Sequence, residues 1–226
     1  MSRIIFLLSI CFICIVNLNG QFPGNLKLVT ENVKVKYSGG DAGEILEKKI
    51  KYPQEAIISK IQGDVILSCI IDKNGRIDQL SVISSPDNSL SAASVSAVNE
   101  LKDGWSPALV DDKPVDKTYL LVFRYRIFIN TRPPDYTRMA SKFAEKQKYE
   151  KALKTYDLAI KDNRFHYEYF EGRSVIREAM GDAEGAQMDK LKALELYDQI
   201  LTVVDVITVG YTKTVVKRVV TTSPVY

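Results

Sequence analysis

Residues 65–77, which read VILSCIIDKNGRI, decide the fold of this chain. Because strand side chains alternate between two faces, an apolar residue at every second position predicts one buried face. The Asn74-Gly75 pair lies between two such runs and is a strong hairpin signal, since both residues tolerate positive φ. We therefore predict an antiparallel hairpin whose second strand covers residues 76–84. The apolar positions of the first strand are Val65, Leu67, Cys69 and Ile71.

Segments on both sides of this hairpin complete a small α+β unit. Helical spacing predicts helices at residues 42–51 and 54–61 before the hairpin and at residues 91–101 after it. A long third strand is predicted at residues 117–129. One face of that strand is apolar and aromatic, with Tyr119, Leu121, Phe123, Tyr125 and Ile127.

After a Pro-containing linker at residues 132–134, the sequence becomes helical and repeats itself. Ala152 and Ala159 are each followed 34 residues later by another alanine, Ala186 and Ala193. A 34-residue period with small residues at fixed places is typical of tetratricopeptide helix pairs, in which antiparallel helices approach closely. The final residues, 202–226, are rich in Val and Thr and form a β-prone tail.

The first 20 residues have the pattern of an export signal. Arg3 precedes an apolar run over residues 4–16, and Gly20 provides a small residue before Gln21. This run is shorter than the roughly 20 apolar residues that a membrane-spanning helix needs. We predict a cleaved signal peptide at residues 1–20, with a retained anchor as the alternative, followed by a leader segment at residues 21–37.

The composition argues against several classes of function. The chain has 31 basic and 28 acidic residues, and a net charge of +3 does not favour a nucleic-acid partner. One His is present, and Cys69 is the only Cys outside the signal segment, so a metal site or a Cys/His catalytic pair is not expected. We therefore predict a protein that is not an enzyme, with no catalytic residue, metal or cofactor.

Residues 39–128 resemble the C-terminal domain of TonB. The resemblance implies an α+β domain over residues 38–131, in which a three-stranded antiparallel sheet packs against two helices. Its motifs are Gly39-Gly40, Lys51-Tyr52-Pro53-Gln54-Glu55-Ala56, Gln62-Gly63-Asp64-Val65, Ile71-Asp72-Lys73-Asn74-Gly75-Arg76-Ile77, Val82-Ile83-Ser84-Ser85, Ala92-Ala93, Ala97-Val98, Trp105-Ser106-Pro107-Ala108 and Lys113-Pro114-Val115.

In the TonB family, this domain contacts a short extended segment of outer-membrane receptors and passes on force from a proton-driven motor. The resemblance implies an exported protein of the periplasm or cell envelope of a Gram-negative-type bacterium, with a role in TonB-dependent transport. An unpaired sheet edge could bind an extended segment by strand addition. The candidate edge is residues 117–128, with partner-binding side chains Tyr119, Leu121, Phe123 and Tyr125; alternatively, solvent or the tail covers it.

Residues 135–201 resemble two tetratricopeptide repeats and would form an all-α domain. Two repeats fall short of the three that an independent stack usually needs, so we expect them to lean on the sheet, the tail or a partner. The alternative function is a periplasmic scaffold in which the groove around Phe143 and Tyr156 binds a protein and the sheet is structural. The partner's identity, membrane association and the oligomeric state are left open by the sequence.

Overall fold

The computed structural model of the chain describes residues 35–210. The predicted signal peptide, most of the predicted leader and residues 211–226 of the predicted tail lie outside the described residues. None of the described helices is long and apolar enough to cross a membrane.

Helices and strands follow each other in a mixed order within the described residues. They are α1 (Ala42–Lys49), α2 (Gln54–Ile58), β1 (Gly63–Ile71), β2 (Ile77–Ser84), α3 (Asn88–Asn99), β3 (Ala108–Val110), β4 (Lys113–Val115), β5 (Lys117–Ile129), α4 (Tyr136–Ala144), α5 (Tyr149–Asp162), α6 (Tyr167–Ala179), α7 (Ala183–Gln199) and β6 (Ile200–Gly210).

Within residues 35–210, the main sheet has four strands in the order β2-β1-β5-β6. β1 pairs antiparallel with both β2 and β5, whereas β6 pairs parallel with β5. The prediction of a three-stranded antiparallel sheet is therefore wrong by one strand. The additional strand comes from the Val- and Thr-rich end of the chain, whose β-branched side chains suit a pleated, half-buried surface.

The predicted hairpin is confirmed, and its turn is held by Asp72. One carboxylate oxygen of Asp72 accepts hydrogen bonds from the backbone N–H groups of Asn74 and Arg76, both at 2.9 Å. The bond from Arg76 is the main cause that lowers the pKa of Asp72. Gly75 adopts the left-handed conformation that this turn requires, with φ at +76°.

The first three helices cover one face of the sheet, which we call the front face. Alternating residues of β1 and β5 point into this layer, so the predicted buried face of β1 is confirmed. Tyr125 ends there in a polar contact: its hydroxyl lies 2.9 Å from Ser94 Oγ and donates to Leu90 O at 3.1 Å. The central residues of this core are Leu46, Val65, Leu67, Cys69, Ile71, Leu90, Val98, Leu121, Phe123 and Tyr125.

The last three helices contribute to a second core on the opposite, back face. Phe170 of α6 and Leu196 of α7 pack there with Ile200 at the start of β6, and Leu120 of β5 lies against them. Parallel neighbours in a sheet need a crossover connection, and α4 to α7 provide it between β5 and β6. The helical segment therefore packs against β5 and β6, and the sheet and the tail are two of the three supports expected for it.

Small residues allow these helices to approach closely. A Cβ atom at Gly172 of α6 would lie 2.4 Å from the Tyr156 ring of α5, so no larger residue fits there without a shift. The alanines of this layer are buried between the helices, which agrees with the predicted role of the repeated alanines. The tetratricopeptide resemblance stays a prediction. The buried alanines of this layer are Ala140, Ala152, Ala159, Ala186 and Ala193.

The buried side chain of Arg124 links β6 to β5 and to the helical segment through hydrogen bonds. Arg124 of β5 donates to Asp205 Oδ1 of β6 at 2.6 Å and to Asp162 Oδ2 of α5 at 2.9 Å. Its side chain is nearly inaccessible, whereas both carboxylates are about two-fifths exposed. Charge-assisted hydrogen bonds of this kind are shorter and stronger than neutral ones. Arg124 therefore fastens both the added strand and the crossover helices to β5.

Replacing Asp205 by Ala should weaken the attachment of β6. We expect Asp205→Ala to lower the free energy of unfolding by about 1–2 kcal/mol, because Arg124 loses one partner while solvent screens part of the effect. Lys48→Ala is the control, since the Lys48–Glu44 pair is exposed at both ends. It should cost less than about 0.5 kcal/mol. Equal urea midpoints for the two variants would contradict this role of Arg124.

Candidate functional site

The strand predicted to be a free docking edge lies inside the sheet. β5 has β1 on one side and β6 on the other. The prediction that residues 117–128 form an unpaired edge is therefore wrong, because β6 occupies that edge; the alternative, cover by the tail, agrees with the structure. The four proposed contact side chains point into the front core with at most 4% of their surface exposed: Tyr119, Leu121, Phe123 and Tyr125.

Burial changes the chemistry of these tyrosines. Removal from water raises the pKa of both Tyr119 and Tyr125 to about 12. Both hydroxyls therefore stay protonated well above the physiological range. In this conformation, the four side chains stabilise the core and have almost no surface for a partner, and their partner binding stays a prediction.

The two side chains proposed for the helical groove also lie in a packed cluster. Tyr156 is buried and Phe143 is half-buried, and both belong to a small core with Ala140 and Ile176. Burial raises the pKa of Tyr156. The structure thus brings Phe143 and Tyr156 together, but as packing between α4, α5 and α6 rather than as the walls of an open groove.

The sheet has two outer edges among the described residues, and they differ in regularity. β2 shows two shifts of register against β1, and Gln79 within it has φ at +49°. Bulges of this kind twist an edge and hinder the pairing of another strand. By contrast, β6 is in continuous register with β5 from Thr202 to Gly210. No described strand pairs with the outer side of β6. The edge of β6 is therefore better suited than the edge of β2 to pair with an added strand.

A cavity of about 600 Å³ lies beside the first residues of β6. Residues 200–203 all contribute to its lining. Leu201 packs in the front core, whereas Ile200 and Val203 pack in the back core, so a cavity that touches all of them lies at the edge of the strand. We call this cavity the edge groove. Its further lining residues are Val35, Lys36, Tyr37, Gly40, Asp41, Ala42, Gly43, Trp105, Phe165, His166, Tyr167 and Tyr197.

The front wall of the edge groove consists of α1 and a short bridge between two chain segments. Tyr37 pairs with Trp105 as an isolated β-bridge, and their ring centroids are 5.2 Å apart. The Trp105 indole N–H donates to Leu101 O at 2.6 Å, which fixes the ring. At the start of α1, a Cβ atom on Gly43 would come within 2.7 Å of Thr202 Oγ1. The front wall is therefore tight against β6.

The back wall is aromatic and belongs to the helical segment. The rings of Tyr167 and Tyr197 meet edge to face, with centroids 5.2 Å apart. His166 stacks on Tyr169 with centroids 4.4 Å apart and planes 14° from parallel. Burial lowers the pKa of His166, which favours the neutral form of this ring. The back wall thus offers uncharged aromatic surface to the edge groove.

The outer edge of β6 offers a surface for binding an extended chain. The described residues contain no cluster of three or more side chains that could hold a metal ion. The edge of β6 offers backbone donors and acceptors, since every second residue of an edge strand points these groups away from the sheet. Sequence reasoning missed this groove because its walls come from separate segments. The only local signals were the β-prone run at residues 202–209 and the aromatic residues near 165–170.

The order of elements from α1 to β5 agrees with the fold implied by the sequence motifs. Residues 48–127 match the family model for the C-terminal domain of the Gram-negative bacterial TonB protein. The resemblance stated from the sequence is confirmed over this range. No curated protein matches the chain.

The TonB match has a clear boundary in the structure. It ends within β5, so α4 to α7 and β6 lie outside it. TonB C-terminal domains are non-catalytic domains associated with transport in the cell envelope. The match therefore supports a TonB-like envelope protein in transport. The chain adds to this domain a helical crossover and a strand, and together they form part of the edge groove.

Proposed function

We propose that this chain is a non-enzymatic envelope protein that binds an extended segment of an outer-membrane receptor or another envelope protein. Binding takes place by strand addition to the outer edge of β6. The edge groove is the observation that carries the proposal, because it lies at the start of β6, which continues from Thr202 in regular register and whose outer side pairs with no described strand. The TonB match supports an outer-membrane receptor as the source of the segment.

An extended segment that displaced β6 in order to pair with β5 would have to overcome a large unfavourable free energy. Leu201, Val204 and Val206 of β6 are buried in the front core. Exposing each would cost roughly 1.5–3 kcal/mol, and the Arg124–Asp205 ion pair would break as well. Addition to the outer side of β6 leaves all these contacts intact. The extended segment therefore adds a fifth strand beside β6.

A scaffold function is the second candidate, and it rests on the outer surface of α7. Met188, Leu191 and Leu194 expose between 43% and 64% of their surface on this helix. An apolar helix surface of this kind can bind a partner through side chains alone. In that case, the sheet serves only as a platform for the helices.

Fluorescence of Trp105 can test the proposed function, because it is the only tryptophan in the chain and lines the edge groove. The probes are eight-residue, Trp-free copies of the extended segments of outer-membrane receptors, added to the mature chain. We expect a saturable change in Trp105 emission. The matched control is the same peptide with alternate backbone amides methylated, which removes strand donors but retains the side chains.

The methylated peptide should bind at least about tenfold more weakly, since it loses hydrogen bonds along the strand. Equal affinity of both peptides would show that backbone pairing is not the mode of binding. The scaffold would instead be supported if Met188→Asp lost binding of the envelope partner, while the peptide-induced change in Trp105 emission stayed the same as in the intact protein.

A further inference from the structure

The two faces of β6 determine where the side chains of an added strand would lie. Thr202 pairs with Leu121, whose side chain is in the front core, and Val203 pairs with Val122 on the back face. An added strand follows the same alternation, because paired residues in a sheet share a face. Every second guest side chain therefore faces α1, and the others face the helical segment.

Space on the front side is small. The backbone of α1 approaches β6 so closely that a Cβ atom at Gly43 would lie 2.7 Å from Thr202 Oγ1. Ala42 and Gly40 line the same side of the edge groove. A large guest side chain on this side would have to push α1 away from the sheet. Small side chains fit here without such a movement.

The back side provides a surface for a large apolar side chain. Tyr167 packs against the core that contains Ile200 and Val203, and Tyr197 retains 39% of its surface exposed. Both residues line the edge groove, and their rings meet edge to face. Aromatic pairs gain energy beyond simple area burial, so a third ring placed here would be favoured over a polar side chain.

From these two walls, we infer that the helical segment sets the specificity of the edge groove. Tyr167 and Tyr197 hold a large apolar or aromatic side chain of the guest, while α1 admits only small residues on the other side. The partner is thus an extended polypeptide in which small and aromatic residues alternate. This inference rests on the proposed function and joins the sheet and the helices in one binding site.

Two octapeptides can test this specificity with the mature chain and Trp105 fluorescence. Ser and Phe alternate in the first, and Ser and Thr alternate in the second. We expect the intact protein to prefer the Ser-Phe peptide by about tenfold, the value of one well-packed aromatic contact. Tyr197→Ala should reduce this preference to about twofold or less and leave the affinity for the Ser-Thr peptide within about twofold.

Variants of α7 separate specificity from folding. Tyr197→Phe keeps the ring and should keep the preference for the Ser-Phe peptide. Leu191→Ala removes an exposed side chain of the same helix that does not line the edge groove, and it should also keep the preference. An unchanged preference in Tyr197→Ala would overturn the inference, as would an equal loss in Leu191→Ala.

The same measurements distinguish failure of the inference from failure of the proposed function. If neither octapeptide nor any receptor copy binds the intact protein, strand addition itself is wrong. If both octapeptides bind the intact protein with equal affinity, only the specificity is wrong. A truncated chain that ends at Gly210 provides a final test. Binding at least tenfold tighter after this truncation would identify residues 211–226 as the occupant of the edge groove and overturn the assignment to a partner.

Discussion

Leu121→Pro is expected to unfold the sheet, not merely to remove a binding edge. Leu121 is fully buried and pairs with Leu67 of β1 on one side and Thr202 of β6 on the other. Proline removes a backbone donor and is not tolerated in a central strand. We expect a loss of at least about 3 kcal/mol, because a buried backbone group loses its ladder partner and the core loses the Leu121 side chain. Far-UV circular dichroism and urea unfolding would measure it.

Ile83→Pro is the matched control for this substitution. Ile83 lies at a register shift in the edge strand β2 and is 61% exposed. Proline is tolerated at edges and bulges, so this variant should remain folded and lose clearly less stability than Leu121→Pro. A folded Leu121→Pro protein that retained its sheet would contradict the central position of β5 and restore it as an edge.

The strands β1, β2 and β5 could be predicted because their sequence signals are local. The hairpin turn at Asn74-Gly75 and the alternation in β1 require only neighbouring residues, and both are confirmed. The prediction for β5 agrees with the structure in both bounds, Lys117 and Ile129. Period-two patterns do not reveal which strands become neighbours, however. The free edge was therefore assigned to β5, although the structure places β6 there.

The parallel register of β5 with β6 escaped prediction because it joins residues that the crossover helices separate. Leu121 and Thr202 are partners across α4 to α7, and no local pattern encodes a pairing of that range. Residues 202–226 were predicted to be β-prone, and cover of residues 117–128 by this tail was one alternative, but the register and direction of the pairing were not predicted. The edge groove escaped prediction for the same reason, since both its walls and its strand depend on this pairing.

A second missed element is the small hairpin of β3 and β4. Asp111 and Asp112 form its turn with φ at +49° and +60°. Asp is one of the residues that tolerate this region through local hydrogen bonding. Two short strands with Pro114 in one of them carry too few alternating apolar residues to be recognised. The two strands around this turn were therefore not predicted.

Gly75→Ala is expected to destabilise the protein and disturb the front wall of the edge groove at the same time. A Cβ atom at this position would lie 1.9 Å from the backbone oxygen of Trp105, and φ is +76°. The left-handed conformation alone costs about 1–2 kcal/mol for a residue with a side chain. A displaced backbone adds to this, so we expect a total of about 3 kcal/mol in urea unfolding.

Gly181→Ala separates the two contributions, because the conformations match and the surroundings differ. Gly181 has φ at +82° and nothing within 4 Å of the position that a Cβ atom would take. Its substitution should cost about 1 kcal/mol or less, since the reduced freedom of the unfolded chain offsets part of the strain. Trp105 N also donates to Gly75 O at 3.0 Å. Displacement at Gly75 should therefore shift Trp105 emission, whereas Gly181→Ala should leave it unchanged. Equal losses of stability and identical spectra for both variants would show that the hairpin turn does not position the front wall.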